Sequence, residues 1–326
     1  MARDIGEQLT KYLTDAHAIE EQALQQLRKA PDIAGDDELS ALFRMHLAET
    51  EEHERLVRAR LEAREAAPSR LKDVAARAGG VGFLLFARLQ PDTPGKLTAH
   101  AYSYEHFERA IYDLIARVAR RAGDDDTVAT AGRIGDEEQA MADRLAGSFD
   151  RAVEASLRAV GRDDLQEQLR KYLADAHAVE AQAIQLLEKG PDIAGDDELA
   201  RIYAEHLEQT RAHQQDVDAR LTARGGSPSR LKDAAMRLGA LNWGGFFQAQ
   251  PDTPGKLAAF AFAFEHLEIA GYEQLKRVAA RIDDAETVAL AERILAEERT
   301  AAERLGGMFD EAVTAALEAQ GITAAR

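Results

Sequence analysis

Four amphipathic stretches of this chain each carry a carboxylate where an apolar residue belongs. The first reads Leu9, Leu13, Ala16, Glu20, Ala23, Leu27, in steps of three and four. The second reads Leu42, His46, Glu49, His53, Leu56, the third Ala101, Glu105, Glu108, Tyr112, Ile115, and the fourth Ile134, Glu138, Met141, Leu145, Phe149. A helix buries such a stripe. A carboxylate inside it loses its hydration and repels any other that shares the space. Two outcomes relieve the repulsion: the acids keep their protons and share them, or they surround a cation. Oxygen ligands with an imidazole and no thiolate suit iron or manganese.

Stripe phase is defined to within one residue, so Glu137 is an alternative to Glu138. His53 is the leading histidine ligand. His17, His46 and His106 flank inward positions and are expected to support or pack rather than ligate. Glu51, Glu52 and Glu54 are expected to face water. Tyr12 and Tyr112 are expected in the core with hydrogen-bond partners.

The same pattern is written twice. KYLTDAHAIE at 11 returns as KYLADAHAVE at 171, and PDTPGKL at 91 returns at 251, an offset of 160 in both cases (171 − 11, 251 − 91). So long a period marks a duplicated domain rather than a solenoid repeat. The expected units are 1–160 and 162–326, forming a covalent pseudo-dimer within one chain. Glu20, Glu105, Glu108 and Glu138 return as Glu180, Glu265, Glu268 and Glu298, and His53 as His213. Glu49 returns as Gln209. An amide ligates without charge, which leaves metal binding in the second unit uncertain.

Four long helices must position these residues in each unit. In the first unit they are expected at about 4–29, 36–64, 93–123 and 124–160. Asp36 and Thr93 serve as N-caps, and Pro94 as the first helical residue. The segment 65–93 is long and holds a short capped helix, Ser69 to Arg77, and the apolar run VGFLLFARL. Four helices with one long central crossover is the ferritin-like arrangement. The fold class is therefore all-α: two tandem ferritin-like four-helix bundles.

Bulk properties narrow the function. The chain has 326 residues and a formal net charge of −17. That charge argues against nucleic acid or an anionic membrane as partner. Cysteine is absent, which removes disulfides, zinc ribbons, iron–sulfur centres and thiol catalysis. The N-terminus lacks a signal-peptide pattern and no apolar run reaches membrane-spanning length, so a cytoplasmic protein is expected. Phosphate loops, nucleophile elbows and zinc-protease motifs are also missing.

The stretches AHAIEEQ, HLAETEEHERL, EHFERAIY (EHLEIAGY in the second unit) and DEEQAMADRL resemble the YciE/YciF-type ferritin-like family over nearly the whole of each unit. That resemblance implies a di-metal site, a dimeric assembly and a part in bacterial stress responses. By analogy the ligands are Glu20, Glu49, His53, Glu105, Glu108 and Glu138, and in the second unit Glu180, His213, Glu265, Glu268 and Glu298. With the oxygen-rich ligand chemistry, the expectation is two iron or manganese ions in the first unit and a small oxidant, dioxygen or peroxide, as reaction partner; the alternative is a non-enzymatic scaffold with a structural ion or shared protons. Glu49 and His53 stand four apart rather than three, and Met141 stands where many di-iron proteins have a second histidine.

Overall fold

The computed structural model describes residues 4–68, 93–158, 160–227 and 253–322, and these contain helices, turns and bends but no strand. Residues Met1–Arg158 belong to one compact unit and Ala159–Gln320 form another. The expected short helix at 69–77 and the apolar run after it lie outside the described residues.

In the first unit, α1 spans Ile5–Leu27, α2 Ala30–Ile33, α3 Asp37–Ala63, α4 Thr93–Ala122, α5 Asp125–Gly147 and α6 Phe149–Leu157. Two details depart from the expected boundaries. Pro31 stands in the first turn of α2, so the chain re-enters a helical turn there rather than simply stopping. The fourth helix breaks at Ser148, whose hydroxyl turns back onto the Leu145 carbonyl at 2.7 Å. That bond competes with the helical ladder next to a residue, Gly147, of low helix propensity.

Short-range chemistry sets the helix starts. Asp36 accepts from the backbone N–H groups of Glu38 and Leu39 at 3.0 and 3.2 Å, capping α3. Between α4 and α5 the chain turns through Gly123 at φ +71°, and Asp124 then accepts from Thr127 N–H at 3.0 Å. A left-handed residue at a helix end suits glycine. The second unit uses Asp283, φ +56°, at the same place.

Cross-links between helices give their directions. Arg64 of α3 donates to Thr10 of α1 and His17 contacts Glu54, so α1 and α3 run antiparallel. His100 meets Gln26 and Tyr112 meets Glu20, so α1 and α4 are antiparallel too. Arg60 reaches Asp124, His53 reaches Glu137 and Arg144 reaches Glu49, which makes α3 and α5 antiparallel. It follows that α3 and α4 are parallel, with the end of α3 and the start of α4 at opposite ends of the unit.

The second unit repeats this order. Its helices are α7 (Arg162–Leu187), α8 (Gly190–Ile193), α9 (Asp197–Ala223), α10 (Thr253–Ala280), α11 (Ala285–Gly306) and α12 (Phe309–Glu318). Arg220 meets Asp284, His213 meets Glu297 and Tyr272 meets Glu180, as their counterparts do.

The core is apolar on both sides of the acids. Leu9, Leu13 and Ala16 precede Glu20 on α1, Ala23 and Leu27 follow it, and all are buried. A packed group of Ala23, Leu27, Leu39, Phe43, Met141 and Leu145 closes one end. This surround fixes the acids' rotamers and withholds water from them.

Candidate metal centre

Each long helix of the first unit delivers an acid or imidazole to one buried place. Glu20, Glu105, Glu108 and Glu138 are at most 1% exposed, and His46 and His53 at most 2%. Two sets of three have ligand atoms within 4.8 Å of one another: Glu20, His53 and Glu138, and His46, Glu105 and Glu138. Glu138 belongs to both. His53 turns Nδ1 to Glu138 Oε1 at 2.8 Å and Nε2 to Glu137 Oε2 at 2.8 Å. His46 Nε2 lies 2.8 Å from Glu105 Oε1.

Many polar atoms of this cluster are left unsatisfied. Glu20 Oε2, Glu105 Oε2, both oxygens of Glu108 and of Glu138, and Nδ1 of His46 and His53 have no hydrogen-bond partner. The close His53–Glu138 approach thus lacks hydrogen-bond alignment. Buried polar atoms in native proteins are nearly always satisfied, and a cluster of exceptions calls for a reason. Acceptor atoms that converge without donors are suited to a cation.

Electrostatics point the same way. Burial, with the charge of Glu138, pushes Glu20 up to about 8. Burial and neighbouring carboxylates drive Glu105 and Glu108 well above the usual carboxylate range. Burial also raises Glu138, but the close approach and charge of His53 outweigh it and hold this acid below its ordinary value. Burial lowers His53, yet Glu138 and Glu20 carry it up to about 9. Burial brings His46 down to about 4. Without a cation the cluster holds protons that a cation would displace.

Two supports lie just outside. Tyr112 donates its hydroxyl to Glu20 Oε1. Glu137, its side chain 36% exposed, accepts from His53 Nε2 and is steadied by Arg133 at 2.9 Å. A carboxylate on the far nitrogen of an imidazole fixes ring and tautomer, as in many metal sites.

The second unit reproduces the set. His206, Glu265, Glu268 and Glu298 form one group and Glu180, His213 and Glu298 another, so Glu298 is shared. His213 Nε2 lies 2.6 Å from Glu297 and Nδ1 2.8 Å from Glu298. Proton distribution differs: Glu298 is raised by burial to about 7, and His206 is carried up to about 10 by Glu265 and Glu298 against the effect of burial.

Three expectations need correction. Glu49 does not join the cluster; its side chain is 30% exposed and pairs with Arg144 at 3.3 Å. The buried face of α3 runs through Leu39, Phe43, His46, Thr50, His53 and Val57. At 3.6 residues per turn Glu49 sits roughly 80° from its centre, toward α5. Gln209 is likewise outside the buried face, but its Oε1 lies 3.3 Å from His206 Nδ1, a contact for which no counterpart between Glu49 and His46 is seen. His46, expected to support or pack, lies among the acids. Its signal was present in the spacing: His46 and His53 are two turns apart on one face, as are His206 and His213. Glu54, expected in water, is 7% exposed and holds His17 Nε2 at 2.8 Å.

The family model described as a domain of unknown function, DUF892, matches residues 4–158 and again 164–318. The chain belongs to that family. It is a tandem pair of DUF892 domains, and each copy contains a buried carboxylate–histidine cluster that includes a shared glutamate, Glu138 or Glu298. No solved structure matches the chain. Among the described residues of the two DUF892 domains, no helix is long and apolar enough to cross a membrane.

Proposed function

We propose that each DUF892 domain is a ferritin-like four-helix bundle that binds two iron or manganese ions and reacts Fe(II) with dioxygen or peroxide. The observation that carries this reading is the position of Glu138 in both ligand groups. One carboxylate within reach of two three-residue sets is what a pair of ions needs. In the second domain Glu298 has the same position. The parallel course of α3 and α4, with antiparallel neighbours otherwise, agrees with a ferritin-like order of helices.

Glu20, His53 and Glu138 would hold one ion, and His46, Glu105 and Glu138 the other, with Glu108 supplying further oxygen atoms. Bound iron would supply the capacity to pass electrons to a small oxidant. The protein's part is to keep the pair dry and oriented. Leu13, Ala23, Leu27 and Met141 exclude water on either side of the acids. Tyr112 directs one Glu20 oxygen, and Glu137 fixes the His53 ring. Glu20, with its carboxyl raised to about 8, is suited to holding a proton when its metal is lost. From the YciE/YciF resemblance we take the setting to be stress protection in the cytoplasm.

The alternative is a scaffold whose acids only share protons, which the raised carboxyl groups would also favour. Anaerobic Fe(II) titration followed by admission of air separates the two. The metal-binding reading expects about two Fe(II) per domain whose binding depends on Glu138 or Glu298, oxygen uptake and a new near-ultraviolet absorbance. Binding no tighter than that of a Glu138→Gln/Glu298→Gln chain would leave the scaffold as the answer.

A further inference from the structure

The first domain contains a second kind of cluster that the proposed di-metal centre does not use. His17 and Glu21, one turn apart on α1, meet Glu54 of α3, and their ligand atoms lie within 4.8 Å of one another. All three are buried: His17 is 2% exposed, and Glu21 and Glu54 are each 7% exposed. The His17 Nε2 to Glu54 Oε1 distance is 2.8 Å. Arg58, with a half-exposed side chain, brings its guanidinium to the same oxygen, Nε at 3.0 Å.

The second domain retains the histidine and loses the rest. His177 stands at the place of His17, but Ala181, Gln214 and Asp218 replace Glu21, Glu54 and Arg58. Both acids and the arginine therefore change together, while the acids of the di-metal cluster are kept. Simple packing does not require two buried carboxylates here, because the same fold closes without them in the second domain. Bringing two such groups out of water is unfavourable unless positive charge meets them. Arg58 now supplies that charge from the solvent side, on a long side chain able to withdraw.

We propose that His17, Glu21 and Glu54 form a third, mononuclear site for a divalent transition-metal ion, present only in the first domain. One imidazole and two carboxylates suit Fe(II), Mn(II), Co(II) or Zn(II), and the lack of a dense oxygen cage disfavours calcium. Arg58 occupies the charge position in the metal-free state and leaves when the ion enters. Glu21 follows Glu20 directly in sequence, and the Glu54 charge acts on Glu20. The third site is thus within electrostatic reach of the centre but does not depend on it.

Equilibrium titration of the full chain with Co(II), read by visible absorbance and by bound-metal analysis, tests this. A Glu21→Ala/Glu54→Gln chain carries the residues that the second domain has at these positions. It should bind one Co(II) fewer than the parent. A Glu138→Gln chain should keep that ion while losing others, so failure of the di-metal reading and failure of this one give different counts. Arg58→Ala should tighten the third site by about tenfold, the equivalent of removing one charge-assisted hydrogen bond. Equal stoichiometry in the parent and the double variant would overturn the proposal, and so would an Arg58→Ala chain with unchanged Co(II) affinity. If the double variant does not fold, Glu54→Gln alone gives the same readout.

Discussion

His53 and Glu137 face each other across α3 and α5 at 2.8 Å, while the other nitrogen of the same ring points at Glu138. Adjacent acids on one helix therefore have different tasks, one inside the cluster and one holding the ring. Replacing Glu137 by alanine should weaken metal binding by roughly 10–100-fold without changing the number of ions, as loss of such ring supports does elsewhere. A Glu49→Gln chain should bind as the parent does, since Glu49 pairs with Arg144 away from the cluster. Competition titrations measure both; a larger loss from Glu49→Gln than from Glu137→Ala would reverse the assignment.

Glu108 offers a test of cost against function. Both of its oxygens are buried without a hydrogen-bond partner. Leucine at 108 should stabilise the metal-free protein by about 1–3 kcal/mol, the size of one relieved buried polar group. Metal binding by the first domain should weaken in the same variant. Urea unfolding in chelator, paired with metal titration, checks the two halves together.

The pH dependence of metal-free stability follows from the shifts. Glu20 and Glu180 rise from 4.5 to about 8, so their contribution is complete below 4.5 and is lost as pH climbs to 8. His53 and His213 rise from 6.5 to about 9, and their contribution is lost between those values. His46 acts oppositely, but its change from 6.5 to about 4 is finished by pH 6.5. Between pH 6.5 and 9 these histidine and glutamate shifts therefore share one sign, and the metal-free Tm should fall by several degrees. Saturating divalent metal should flatten the slope, because ligation needs the deprotonated carboxylates throughout. Calorimetry across that range, with and without metal, decides it; a metal-free Tm that rises toward pH 9 would contradict the cluster's protonation.

Asp124 ties the start of α5 to the end of α3 without touching the cluster. It caps α5 and receives Arg60 at 2.9 Å and Arg64 at 2.8 Å. Alanine there should cost about 2 kcal/mol, the sum of a lost cap and two partly buried partners. The count of bound metal ions should not change. Thermal melts beside metal analysis test this, and a lost ion would mean that the α3–α5 end shapes the site.

Much was legible from residue order alone. Stripe periodicity identified the inward acids Glu20, Glu105, Glu108 and Glu138, because helix geometry gives each residue a face before any packing occurs. Capping chemistry gave the start of α3, since Asp36 satisfies backbone groups within its own turn. The 160-residue offset revealed the duplication with no structure at all.

The residues at the edge of a face were decided only by packing. Glu49 and Glu54 lie on opposite margins of the buried face of α3, and periodicity assigns neither with certainty. The neighbours settled it: α5 offers Arg144 to Glu49 at the surface, and α1 covers Glu54 with His17. Likewise, only the approach of α4 and α5 to α3 turned His46 from a supporting ring into a member of the acid cluster. A sequence specifies which way a side chain leaves its own helix; what it meets there depends on another helix brought close from far along the chain.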